Sequence, residues 1–490
     1  MVSISSVIKS TCKIISNEYS SRNQTGGDFS FGVDGRVITT EDKKNKFKSF
    51  VLSQNDHHNI KIFEEHIMPY VKFDGTVCGT NLKTEAKEIS MGGFGILFKF
   101  NCTANNKKFS MKISVPSKLQ NDNDWNTYYN ENKILDVFGG INSPTASLLL
   151  PKYYGYIDLT GRDPNNKGKL VLTSNLISID QNRLDEVEKM LIFPSSIMIF
   201  FQEWLDGDLN QKLTFQTPLE IFHMIVCFYF SLSTLQKGYN GKPLVHCDIK
   251  GGNLMVKKLN SKHIQFNNDA HFVAFNDDDR RVYKVIDLGG VQEEGAPIDS
   301  YTPEYLSPEL LEMIDNKGKI IEEYETLKKS GASAEIINET VEKFRNAPTA
   351  TAQRPQDIYA LGLGLIETLG ASPNGLNMRG SWLASKNINK LDQNTASLEF
   401  AKYINQVMES LNYTRAEDIS YLNKKYVNEY NQLSNLLINE IKYILNAMVA
   451  PVNMRINNDA IGVRIAKILN SNKLLRTIYK HIYIDRFSEL

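Results

Sequence analysis

The run Val245-His246-Cys247-Asp248-Ile249-Lys250-Gly251-Gly252-Asn253-Leu254-Met255-Val256 sets three polar functions into one short loop between apolar stretches. An aspartate, a lysine two positions later and an asparagine five positions after the aspartate suit phosphoryl transfer, where positioning and charge neutralisation supply most of the rate. Asp248 can accept or orient the proton of an attacking hydroxyl. Lys250 can neutralise charge on the moving phosphoryl group. Asn253 offers a neutral oxygen to a hard cation such as Mg²⁺. Downstream, Val285-Ile286-Asp287-Leu288-Gly289-Gly290 presents a carboxylate at the end of an apolar strand. Read alone, Asp-Leu-Gly is a turn. Read in order after Asp248 and Asn253, Asp287 is a second metal ligand, for Mg²⁺ bridging nucleotide phosphates.

Upstream lies a glycine-rich stretch, Ile89-Ser90-Met91-Gly92-Gly93-Phe94-Gly95-Ile96-Leu97, between two strand-like runs. Glycines let a hairpin turn tightly and bring backbone N–H groups against phosphate oxygens. By itself such a hairpin is more often a plain turn. A Rossmann motif would continue into a helix and a Walker loop would carry Gly-Lys-Ser/Thr, and neither is present. Fifteen positions after Leu97, Lys112 stands inside the apolar alternation Phe109-Ser110-Met111-Lys112-Ile113. A lysine there either snorkels from an edge strand or meets an anion. A phosphate and Glu131, on a predicted helix over 125–138, would serve, although Glu131 alone reads as a solvated helix residue.

The elements that position these groups follow from periodicity. Alternation over 85–115 predicts strands, with further strands at 148–157 and 197–204, whereas long helical patterns dominate from 217 onward. A β-rich first part and an α-rich second part predict an α+β chain of two packed lobes. Its 490 residues carry 56 Lys plus Arg and 56 Asp plus Glu, and this balance argues against a phosphate-neutralising nucleic-acid binder and a polybasic membrane-surface protein. Hydrophobic residues at 41% and charged residues at 23% give ample core material. Five scattered cysteines without a CxxC pair exclude a disulfide framework or zinc ribbon and suit a reducing compartment. No apolar run approaches eighteen residues and the N-terminus lacks a secretory h-region, so the expectation is a cytoplasmic protein without a membrane span.

Taken in order, these motifs resemble the eukaryotic-type protein kinase family over about residues 85 to 470. The resemblance implies the bilobal kinase fold, with a β-rich N-lobe at 76–204 and a helical C-lobe at 205–490. Residues 1–75 would be an N-terminal extension of unknown role, and insertions fall near 257–280, 312–350 and 370–447. Gly92, Gly93, Phe94, Gly95, Lys112 and Glu131 look like the nucleotide-anchoring set, Asp248 with Lys250 the catalytic pair, and Asn253 with Asp287 the metal ligands. Ile197–Leu209 is similar to the inter-lobe hinge, with Gln202 as gatekeeper. The backbones of Glu203 and Leu205 would meet the adenine, Asp208 the ribose, and Leu97, Ser110 and Met255 the faces of the ring. Tyr301-Thr302-Pro303-Glu304-Tyr305-Leu306-Ser307-Pro308-Glu309 resembles the P+1 loop running into the APE triplet. Asp357 resembles the aspartate that fixes the catalytic loop around His246, and Arg455 the partner of Glu309. Lys250 and Thr302 together imply serine/threonine specificity. The cofactors so implied are ATP and Mg²⁺, with Mn²⁺ able to stand in, and the partner is a protein substrate.

Two departures matter. Ser90 replaces the first glycine of the loop. Cys247 replaces the arginine that in the family reads an activation-loop phosphate, so activity without that phosphorylation is expected. Thirty-four positions separate Asn253 from Asp287, which predicts an extended hairpin over 257–280. Forty-eight separate Glu309 from Asp357, which predicts extra helices over 310–346. Such surplus, with the N-terminal extension, offers places for a regulatory partner or is mere surface decoration. Two rival readings stay open: a catalytically silent pseudokinase scaffold, and a kinase acting on a lipid or small molecule. The composition and insertions are also similar to effector kinases of intracellular bacteria, such as the Legionella kinases, which would work in a host cytosol; protist and viral kinases fit as well.

Overall fold

The computed structural model describes residues 54–73, 76–77, 90–92, 95–102, 107–114, 134–135, 138, 150–163, 165–166, 168–174, 177–209, 213–238, 241–259, 263–265, 271–273, 281–298, 301–373, 375–376, 391–419, 422 and 424–480. The fold is α+β, with two compact units that divide between Asp206 and Gly207.

The unit before Gly207 begins with helix α1 (Gln54–Ile62), a π turn (Phe63–Ile67) and a 3-10 turn (Met68–Tyr70). Strands β1 (Lys72–Phe73), β2 (Thr76–Val77), β3 (Ser90–Gly92), β4 (Gly95–Cys102), β5 (Lys107–Ser114), β6 (Tyr153–Asp158), β7 (Val171–Ser174) and β8 (Ile177–Ser178) follow, then α2 (Gln181–Glu188) and β9 (Met198–Glu203). Its main sheet is antiparallel in the order β3-β4-β5-β9-β6-β7. The expected strands at 148–157 and 197–204 are β6 and β9, and of the expected 125–138 helix the described residues Ile134, Leu135 and Phe138 are helical.

The core of this unit reaches further back than the sequence reading assigned to it. Phe63, Ile67, Met68 and Val71 are buried with Met111, Ile157, Ile199 and Phe201, so residues 62–71 pack with the sheet although they precede residue 76. Helix α1 hides this role because its buried face is partly polar. The Asp56 carboxylate accepts from the Ser196 amide at 2.6 Å, and Asn59 exchanges two bonds with the Ile192 backbone, at 2.9 and 3.0 Å. Buried polar groups so satisfied are tolerated, but they erase the apolar stripe that betrays a core helix.

From Gly207 the chain forms β10 (Gly207–Asp208), α3 (Pro218–Gln236), β11 (Leu244–Val245), β12 (Leu254–Lys258), β13 (His263–Gln265), β14 (His271–Val273), β15 (Arg281–Val285) and β16 (Gln292–Glu293). Helices α4 (Pro308–Lys329), α5 (Ala334–Asn346), α6 (Arg354–Gly370), α7 (Gln393–Ser410), α8 (Val427–Met448), α9 (Asn458–Ser471) and α10 (Lys473–Ile478) complete it with β17 (Tyr479–Lys480). The 257–280 segment contains the antiparallel pair β13/β14, and the stretch after Glu309 is the helix pair α4/α5.

Helix α3 is capped by Thr217, whose hydroxyl accepts from the Glu220 amide, while Glu220 accepts from the Gln216 amide at 2.9 Å. It is long and apolar enough to cross a membrane by length and composition, but 94% of it is buried inside the protein. It packs against β15, α8 and α9 as a core helix, and it is apolar around its whole circumference because no side faces water. Helix α6 is nearly as buried, and at Gly364 an added β-carbon would stand 3.0 Å from the Leu254 Cδ1 and 3.8 Å from the Gly251 amide nitrogen. Glycine eases the approach of this helix to the 248–254 loop, since a methyl there would make the end of the Leu254 side chain give way.

Candidate active site

The 248–254 loop leaves β11 and enters β12 through a 3-10 turn at Gly251–Asn253, closed by the Asn253 amide donating to the Lys250 carbonyl at 2.8 Å. Cys247 sits at φ 67°, a left-handed conformation that costs a non-glycine residue about 1–2 kcal/mol. The compensation is local. The Asp357 carboxylate, at the start of α6, accepts from the His246 amide at 2.7 Å and from the Cys247 amide at 3.0 Å. The His246 ring bonds the Ile286 carbonyl through Nε2 at 2.8 Å, and its Nδ1 accepts from the Asp248 amide at 3.3 Å. Burial pushes the Asp357 carboxyl up to about 6, outweighing the His246 and Cys247 backbone donors and the other nearby groups that pull it down.

Within this frame Asp248 is the centre of a hydrogen-bonded set. The Thr302 hydroxyl donates to Asp248 Oδ1 at 2.6 Å. The Lys250 ammonium donates to Asp248 Oδ2 at 2.9 Å and to the Thr302 hydroxyl at 3.0 Å. The Asn253 amide donates to the Asp248 carbonyl at 2.8 Å. Asp248, Lys250 and Thr302, from two segments, thus close a ring of charge-assisted bonds, each worth about 1.5–3 kcal/mol, and the Asn253 side chain adds a neutral bond to the Asp248 backbone.

Asp287 lies at the end of β15, also at positive φ, 62°, and starts the 3-10 turn Leu288–Gly290. The pairing Leu254↔Val285 and the bond from the Ile286 amide to the Asn253 carbonyl, 2.9 Å, carry the chain just before Asp287 alongside Asn253. Because Asn253 spends its NH₂ on Asp248, its side-chain oxygen is the end left to meet a cation. Among the described residues no three His, Cys, Asp or Glu side chains cluster to hold a metal ion. Asn253 and Asp287 would thus offer two oxygens to a Mg²⁺, with phosphate and water to complete its shell in its usual mode.

Other predicted residues fall into two groups. Within the unit after Gly207, Asp208 pairs with Met255 across β10 and β12, and Glu309 is bound by Arg455. Within the unit before it, Gly92 faces Gly95 across a hairpin whose tip, Gly93 and Phe94, lies outside the described residues, as does Glu131. Leu97 is opposite Lys112, and Lys112 stands on the third strand of the sheet in chain order, half-buried. The Ser110 hydroxyl bonds the carbonyls of Gln202 and Glu203, each at 3.2 Å. Glu203 donates its amide to the Lys152 carbonyl at 2.8 Å, so of its backbone groups the carbonyl, with a second lone pair, is the one suited to a ligand. Leu205, next in the expected hinge, is buried.

Three further contacts were not legible from residue types and spacing. The Tyr305 hydroxyl donates to Glu367 at 2.5 Å, and burial, reinforced by Glu367, raises this phenol well above its ordinary value. Gln356 accepts from the Ser307 amide and donates to the Tyr305 carbonyl. Cys247 is buried with Val245, Ile298, Leu306, Leu310 and Ala352. Only helix position hints at the first two, since Gln356 and Glu367 share α6 with Asp357.

The chain matches no known protein-family model and no curated protein.

Proposed function

We propose that this protein is an ATP- and Mg²⁺-dependent serine/threonine protein kinase of the bilobal kinase fold. The observation that carries this reading is the Thr302–Asp248–Lys250 set. An aliphatic hydroxyl already sits 2.6 Å from one carboxylate oxygen while an ammonium holds the other. A substrate hydroxyl approaching Asp248 finds a carboxylate whose orientation is fixed before it arrives. Asp248 orients that hydroxyl and takes its proton, and Lys250 offsets charge on the transferred group. Mg²⁺, held by Asn253 and Asp287, neutralises phosphate charge when bound. Lys112, on the third strand after a glycine hairpin, anchors phosphates, and the Glu203 carbonyl with Ser110 and Leu97 serves the base. The Pro303–Tyr305 turn that follows Thr302, tied to α6 through Gln356, favours a peptide as acceptor over a small molecule.

Transfer of radiolabelled phosphate from ATP to a generic basic protein tests this. Asp248→Asn is expected to lower the initial rate by about a thousandfold or more while preserving nucleotide binding. A wild-type chain that binds Mg-ATP yet labels neither protein nor itself would favour the scaffold reading. Labelling of lipid or metabolite fractions alone would favour a small-molecule kinase.

A further inference from the structure

We propose that residues 350–352 are a strap that holds the segment carrying Thr302 in place, by backbone pairing and apolar packing, where the kinase pattern would use a phosphate read by an arginine. The proposal names the regulation of the site above and, for its effect on activity, rests on that functional reading. The physical contacts are independent of it.

The strap leaves α5 and runs antiparallel to residues 295–298. The Gly295 amide donates to the Ala352 carbonyl at 2.9 Å, the Ala352 amide to the Ala296 carbonyl at 2.7 Å, and the Ile298 amide to the Ala350 carbonyl at 3.3 Å. Pro297 and Thr351 form the bridge between them. Side chains then seal it. Ala352 is fully buried and packs with Ile298, Leu306, Leu310, Val245 and Cys247. One cluster thus contains the strap, both described flanks of Thr302 and the residue preceding Asp248. Cys247 contributes an apolar thiol exactly one position before Asp248, where a phosphate-reading guanidinium would put a desolvated charge into this cluster. The strap is also tied to the helix pair, since Lys317 of α4 donates to the Thr349 hydroxyl. Arg354, just beyond it, pairs with Glu294 at 2.9 Å.

The test is amide hydrogen exchange on the full chain after phosphatase treatment. The Gly295, Ile298 and Ala352 amides are expected to exchange at least about a hundredfold more slowly than peptide rates. Ala352→Pro deletes one strap donor, and Ile298→Ser hollows the cluster. Each is expected to speed exchange at the remaining strap amides by about tenfold or more, with α3 amides unchanged as the control for global folding. In the kinase assay each lowers kcat about tenfold with the ATP KM within about twofold, the signature of a positioning role. Peptide-like exchange in the dephosphorylated wild type, or protection that survives both substitutions, would overturn the strap. Loss of protection on phosphatase treatment would show that a phosphate orders the segment instead. If the wild type transfers no phosphate, the functional reading fails while the exchange data still judge the strap.

Discussion

Arg455 grips Glu309 across 146 positions of chain, with Nη1 and Nη2 donating to the two carboxylate oxygens at 2.7 and 3.2 Å. The guanidinium is 1% exposed, bonds the Ala450 and Pro355 carbonyls, and lies 4.7 Å from the centre of the Tyr359 ring. It therefore joins the start of α4, the start of α6 and the loop after α8.

Removing that arginine strands a largely buried carboxylate, 15% exposed. Arg455→Met is expected to cost about 3–5 kcal/mol, seen as a lower denaturation midpoint, and high salt should not mimic it because the pair is shielded from screening. Arg455→Lys should recover less than half, since an ammonium cannot keep the fork, both carbonyl bonds and the ring contact together. A loss under about 1 kcal/mol in Arg455→Met would mean the pair behaves as a surface one.

Gly364→Ala tests the close approach of α6 to the loop. Alanine improves helix propensity by about 1 kcal/mol, yet its methyl would press on the end of the Leu254 side chain at the edge of the loop. Stability is expected to change little while the phosphoryl-transfer rate falls about tenfold or more. An unchanged rate would show that the loop yields without losing its geometry.

Asp357 gives a pH dependence of opposite sign for stability and activity. Its folded value, about 6, lies above the ordinary 3.8, so folding takes up a proton between these values. Its contribution to stability is therefore full below the ordinary value and is lost as pH rises through about 6. Activity needs the ionised form, which accepts from both the His246 and Cys247 amides, and should fall as pH drops through about 6. The difference in melting temperature between wild type and Asp357→Asn, followed from pH 4 to 8, isolates the first effect. A pH–rate profile of the same pair isolates the second. A difference that does not vary with pH would contradict the shift.

Residues 54–73 are expected to be indispensable to the unit they pack into. Asn59→Ala should cost about 2–3 kcal/mol, because the Ile192 amide and carbonyl lose their partners together. A chain starting at Gln54 should keep the melting transition of this unit, and one starting at Thr76 should lose it. Equal transitions for both would show that α1 adds no stability.

The residues proposed to react could be picked out because phosphoryl-transfer chemistry asks for particular residue types at short spacing. Asp248, Lys250 and Asn253 lie within six positions, and Thr302 and Asp287 come in recognisable company. Strands β6 and β9 and helix α3 were legible from apolar runs. What stayed hidden has no side-chain signature. The strap acts through backbone groups of Ala350 and Ala352, residues that any loop could carry. Helix α1 was obscured by Asp56 and Asn59, polar residues buried for the sake of a distant loop. Glu367 is one more carboxylate on a helix until Tyr305 is found against it.

The depth of α3 has a consequence for how the chain is made. Its cover arrives late: β15 begins at Arg281, α8 at Val427, α9 at Asn458, and Tyr479 sends its hydroxyl to the His223 ring at 3.0 Å. On a ribosome, residues 218–236, apolar enough by length and composition to cross a membrane, emerge well before the groups that will shield them. The unit cannot close cotranslationally around this helix. Expression yield is therefore expected to rise with chaperone supply more steeply than the protein's final stability would suggest.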